Sequence, residues 1–76
     1  MHPKNTPANQ SLAKVIREKR EQQGHTQTDF ALRAGLGPSH YGHIERGEMN
    51  PTVETLMKMT TALGMTGSEL FTLAEI

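Results

Sequence analysis

Residues 26–47 read TQTDFALRAGLGPSHYGHIERG, and this stretch decides the fold. Thr26 is a helix-capping residue type, and Asp29, three positions on, stands where a capping partner would. Phe30, Ala31 and Ala34 then give that helix one apolar face. Gly35 follows where a helix ends. Leu36 is a lone apolar residue in the turn, placed to plug into the core. Pro38 suits the first position of a second helix, because its missing N–H has no partner there anyway. Tyr41 and Ile44, three apart, face inward, and Glu45-Arg46-Gly47 closes the segment. The stretch reads as two short helices joined by a tight turn.

Helical spacing continues on both sides. A first helix is expected over 11–23, with Leu12, Val15, Ile16 and the stem of Lys19 on its inner side, and Gly24 ends it. Arg20 falls one turn after Ile16 on that apolar face, where an unpaired charge is costly. Past Gly47 a loop leads to Thr52, the cap of a fourth helix whose buried stripe is Val53, Leu56, Met59 and Leu63. Gly64 stops it. Thr66 and Glu69 form a capping box opening a short fifth helix with Leu70, Phe71, Leu73 and Ile76. Residues 1–10, polar and punctuated by Pro3 and Pro7, read as a flexible arm. There is no strand signal and no internal repeat, so an all-α domain over 11–76 is expected.

A helix, a Gly-containing turn of about four residues and a second helix make the helix-turn-helix arrangement, which lays its second helix in the DNA major groove. Gly24, Thr26, Gln27, Phe30, Ala31, Ala34, Gly35, Leu36, Ile44, Glu45, Gly47, Asn50 and Pro51 stand at the spacing of one family's pattern. The chain resembles the Xre family, the class of the lambdoid phage repressors and the restriction–modification controller proteins. In weaker form the resemblance runs from Leu12 to Leu70. It implies a compact five-helix bundle of the lambda repressor-like type, with the motif proper at 26–46. It also implies a sequence-specific binder of double-stranded DNA, a dimeric repressor or autoregulator. Many relatives pair an arginine at the position of Arg20 with the glutamate at Glu45, so a partly buried Arg20–Glu45 ion pair is expected here.

The same resemblance distributes the DNA contacts. Thr26 and Gln27, at the start of the motif's first helix, would meet a phosphate beside that helix's free N–H groups. Arg46, Asn50 and, more weakly, Lys14 and Arg17 are further phosphate candidates. Base readers belong on the outward face near the start of the recognition helix, here Pro38, Ser39, His40 and His43, with His43 the main one. Relatives often carry Gln, Arg, Lys or Ser at these positions, but this helix has no Arg, Lys or Gln before Arg46. Base readout is therefore thin, and DNA shape carries more of the specificity. His40 and His43 alone make a poor metal site, and none is expected. Helices four and five hold more apolar residues than a small core can hide. Met57, Met65, Leu70, Phe71, Leu73 and Ile76 are expected to line a two-fold dimer, which would set two recognition helices about 34 Å apart. The methionines otherwise read as gap-filling core.

At 76 residues the chain is one domain, near the lower limit for a core without metals or disulfides. It has no cysteine, hence no disulfide framework and no thiolate zinc site, which fits a reducing cytosol. The N-terminus lacks the apolar core of a signal peptide, and no run reaches membrane-spanning length. Net charge is zero but unevenly spread: five basic residues face two acidic ones up to His25, and one faces four from Gly47 onward. One end suits phosphates and the other points away from them. No Ser/His/Asp set, inward carboxylate pair or phosphate-cradling glycine loop is visible, so neither enzyme nor cofactor is expected. The expected partners are a near-palindromic DNA operator and a second copy of the chain. The alternatives are an antitoxin that also binds a toxin, or a helix-turn-helix fold used for protein–protein contact.

Overall fold

The structure, a computed structural model, describes residues 7–75. Five helices follow one another: α1 (Pro7–Gln22), α2 (Gln27–Arg33), α3 (Pro38–Glu45), α4 (Val53–Leu63) and α5 (Gly67–Leu73). There is no strand among the described residues. The expected arm gives way to helix at Pro7, a residue suited to a helix's first turn. Asn9 is buried there, so this turn packs onto the body rather than trailing from it. The rest of the arm, residues 1–6, and Ile76 lie outside the described residues.

Three threonines start helices. The hydroxyls of Thr26, Thr52 and Thr66 accept from the backbone N–H groups of Asp29, Thr55 and Glu69. Only Thr66 and Glu69 complete the reciprocal box. Asp29 does not: its carboxylate turns to His25 and Arg33 instead, 2.9 and 3.2 Å away. At the other end, α1 to α4 all close with the same backbone device. The N–H groups of His25, Leu36, Glu48 and Met65 reach back to the carbonyls of Arg20, Ala31, His43 and Thr60. This closure brings the side chain after the turn beside the third-last residue of the helix. For Leu36 it drives the side chain into the core.

Helix α1 packs on α3, α4 and α5, while α2 packs on α3 and α4 on α5. Ile16, Phe30, Tyr41, Met59 and Leu70 are the largest fully buried side chains, and the Phe30 and Tyr41 rings sit tilted at 5.1 Å between centroids. Burial deepens along α4, from Val53, 74% exposed, through half-buried Leu56 to Met59 and Leu63. Val53 therefore does not belong to the buried stripe, because the first turn of α4 stands off the core. Of the methionines in α4 and beside it, Met59 fills the core and Met65 packs against it, whereas Met49 and Met57 are exposed.

This gradient predicts a sharp contrast within one helix. Met59→Ala should cost about 2–5 kcal/mol in urea unfolding. Val53→Ser should stay within about 0.5 kcal/mol of the parent. Similar losses at both positions would place the first turn of α4 on the core after all.

Candidate nucleic-acid interface

The outward face of α3 is aimed by what its inward face holds. Tyr41 and Ile44 enter the core, and Glu45, the last residue of α3, is buried beside them. Arg20 meets the Glu45 carboxylate as a fork, Nε donating to Oε2 at 2.9 Å and Nη2 to Oε1 at 2.8 Å. Its remaining Nη1 donates to the His25 carbonyl at 2.7 Å. Gln27 Nε2 donates to Glu45 Oε1 at 2.9 Å, and the Tyr41 hydroxyl donates to Oε2. Burial opposes ionisation of Glu45, but the hydrogen bonds from Arg20, Gln27 and Tyr41 outweigh it and hold the carboxyl below its ordinary range. Burial, and then the bond to Glu45, push the Tyr41 hydroxyl well up, while Glu45 raises the Arg20 guanidinium. One carboxylate thus ties α1, α2 and α3 together, and no buried side-chain polar atom among the described residues lacks a partner.

With that side turned in, Ser39, His43 and Arg46 occupy the middle of the outward face by helical spacing, with Pro38 and His40 toward its edges. All five are exposed. Two of them are engaged at their tips. His43 Nδ1 lies 2.9 Å from Glu48 Oε1, Arg46 Nε donates to the same oxygen at 3.0 Å, and Arg46 Nη2 lies 3.2 Å from His43 Nδ1. Those bonds, His43's first and then Arg46's, lower the Glu48 carboxyl. Beside this face, Lys14 and Arg17 of α1 and Arg46 and Gly47 beyond α3 line one open depression. Asn50 is exposed in the loop that follows. At the start of α2, Thr26 and Gln27 are exposed, although Gln27 already spends one amide hydrogen on Glu45. On the same helix Asp29 draws in Arg33 and His25, and these bonds, Arg33's first, lower its carboxyl.

The helix-turn-helix family pattern matches residues 16–70, most of the chain. Over 62 residues the chain is 40% identical to the uncharacterized HTH-type transcriptional regulator y4dJ of Sinorhizobium fredii, covering 82% of this chain and 75% of that protein. It is 34% identical to the control protein C.MunI of a Mycoplasma species over 58 residues, 76% of this chain and 78% of that one. Among solved structures, the restriction–modification controller protein C.Esp1396I, a tetramer in complex with its natural 35-base-pair operator, superposes with a TM-score of 0.82 at 25% identity, covering 90% of each chain. The chain belongs to the helix-turn-helix family.

In this helix-turn-helix protein α2 and α3 lie within the matched region. The surface expected to pair two copies is less uniform than the sequence suggests. Met57, Phe71 and Leu73 are exposed, but Leu70 is fully buried and Met65 is half-buried against the core. Leu70 belongs to the interior because α5 turns that side toward α1 and α4; it is removed from the dimer set. Two residues that matter here carry no expectation from sequence, the Tyr41 hydroxyl and Glu48. Glu48 had a readable signal: it stands five residues after His43 across a helix-ending glycine, the spacing that the helix closure brings together.

Glu45 generates a stability prediction with a definite sign. Its carboxyl is depressed in the folded state, so its contribution is fully present above its unfolded value, about 4.3, and is lost as pH falls through the folded value. Glu45→Gln, which leaves the Arg20 charge buried without a counter-charge, should cost about 3 kcal/mol at pH 7. The loss should shrink as pH drops below about 4. Chemical denaturation at neutral and acid pH checks both parts, and a pH-independent loss would mean that the Glu45 charge contributes nothing.

Proposed function

We propose that this helix-turn-helix DNA-binding transcriptional regulator is a dimeric repressor or autoregulator acting on a near-palindromic operator. Helix α3 enters the major groove. Ser39 and His43 read base edges from the middle of its outward face, and Pro38 and His40 contact bases toward its flanks. The start of α2, with Thr26 and Gln27, faces one phosphate, and Arg46, Asn50, Lys14 and Arg17 face others. The observation that carries this reading is the outward face of α3: every side chain proposed to read bases is exposed, while Glu45 and Tyr41 lock the opposite face into the core. The relatives support it, C.MunI being a control protein and C.Esp1396I a controller in complex with operator DNA.

The two-fold arrangement joins α4 and α5 of one copy to those of another through Met57, Phe71 and Leu73. This would place two α3 helices about 34 Å apart, one turn of DNA. The protein acts in the cytoplasm, where an operator would be transcribed, and this reading gives it no catalytic role. Among the described residues no helix is long and apolar enough to cross a membrane.

Selection of random DNA duplexes on the purified protein at low salt tests the reading. A two-fold symmetric motif with half-sites one helical turn apart is the expected outcome. Ser39→Ala and His43→Ala should each relax the motif at particular base pairs, at a cost of about 1–3 kcal/mol. Lys14→Ala should weaken all sequences alike and reduce the salt slope by about one. Absence of any enriched motif, with no salt-dependent retention, would reject operator binding and favour protein–protein contact.

A further inference from the structure

The cluster at the end of α3 stands in the way of the cations that DNA would need. Glu48 is the residue after Gly47, whose φ of +74° turns the chain, and its N–H closes on the His43 carbonyl at 2.9 Å. That closure ordinarily brings two apolar side chains together. Leu36 and Met65 fill the equivalent place after α2 and α4. After α3 the place is taken by a carboxylate, which meets an imidazole and a guanidinium on the outward face.

The cluster is also imperfectly satisfied. A neutral His43 Nδ1 can donate to Glu48 or accept from Arg46, but not both, and a protonated one repels the Arg46 Nη2 beside it. Arg46 lies flat on the helix: a Cβ on Gly42 would stand 3.0 Å from its Nη1. A phosphate, with several acceptor oxygens, can accept from Arg46 without that conflict, which frees His43 Nδ1 from the shared carboxylate. These are the same groups that the proposed operator contact uses.

We propose that Glu48 is an intramolecular stand-in for a DNA phosphate. It holds His43 and Arg46 against α3 in the free protein and competes with DNA for them. Non-specific contact then recovers less, because a phosphate that reaches Arg46 must first displace a carboxylate. A matching site, where α3 seats fully in the groove, displaces it with the help of base contacts. Glu48 is thus a residue that sets discrimination without touching a base. The inference rests on the proposed DNA binding.

The test compares three proteins: wild type, Glu48→Gln and Glu54→Gln. Glu54 is an exposed acid on α4 whose ion pair, to Lys58 at 3.8 Å, lies away from the cluster. Its substitution changes net charge equally. The probe is a mixed-sequence DNA duplex, with affinity read by fluorescence anisotropy over a range of salt and folding checked by thermal unfolding. Glu48→Gln should bind about two- to fivefold tighter at low salt, the worth of one exposed ion pair. Its slope of log affinity against log salt should steepen by about 0.9 for each Arg46 released. Glu54→Gln should match wild type. Equal gains from both variants would assign the effect to net charge and overturn the inference. So would wild-type or weaker binding by Glu48→Gln while wild type binds. If none of the three shows salt-dependent binding to any duplex, the DNA-binding reading falls, and this inference with it.

Discussion

The Glu45 carboxylate is the constraint on which the geometry of this domain depends. Helix α3 has eight residues, carries a glycine in its middle and is too short to hold its shape in isolation. Its orientation must come from tertiary contacts. Tyr41 and Ile44 anchor it apolarly, but apolar packing alone leaves a short helix free to rotate or slide by small amounts at little cost. A buried carboxylate removes that freedom, because each oxygen needs its donors in place. Arg20, Gln27 and Tyr41 supply them from α1, α2 and α3. Such a network contributes little net stability over an apolar filling but strongly disfavours any arrangement that leaves a charge unpaired. Here that preference points the opposite face of α3, with Ser39 and His43, into solvent.

Much of this was legible because its signals are local. Thr26, Thr52 and Thr66 begin helices through bonds to residues three positions away, and Pro38 begins one by lacking a hydrogen. Helix closure after α1 to α4 is equally local. Arg20 betrayed itself by standing on an apolar face, a position that demands a partner. What stayed hidden depends on distances through space. The start at Pro7 turns on whether Asn9 finds a buried place, and the exposure of Val53 on how far α4 leans from the core. Periodicity cannot separate Leu70, inside, from Phe71 and Leu73, outside, in a seven-residue helix where most apolar positions are adjacent. For Asp29, two neighbours one turn away on each side, the His25 ring and the Arg33 guanidinium, outcompeted the capping role.

The candidate interface shows a related limit. Residue types identify Lys14, Arg17, Arg46, His40 and His43 as able to meet phosphate or bases, yet type says nothing about prior engagement. In the folded chain Arg46 and His43 are drawn together by Glu48, and Arg33 is drawn to Asp29. These surface pairs contribute little to stability. Their effect is on availability: each acid near a DNA-facing surface takes a cation out of the long-range field that draws DNA in. A domain of zero net charge so arranged has weak non-specific attraction built into it.

Weak attraction and a thin set of base readers bear directly on assembly. On the proposed reading one α3 helix would offer Ser39 and two histidines to base edges, and none of the bidentate Arg or Gln readers that give the largest discrimination. A single domain would then struggle to separate its site from the many competing ones, since discrimination grows with the number of mismatches that can be penalised. Coupling two domains changes the arithmetic without changing any contact. Once one α3 is seated, the second meets its half-site at a high effective concentration, and the penalties of both half-sites add. Spacing itself becomes information, because only half-sites about one turn apart engage both helices. Sequence-dependent DNA stiffness between the half-sites is then read as energy at base pairs that no side chain touches. If the proposed pairing holds, the exposed Met57, Phe71 and Leu73 would be as much a part of specificity as Ser39 or His43, because a modest recognition helix selects an operator best as one of a pair.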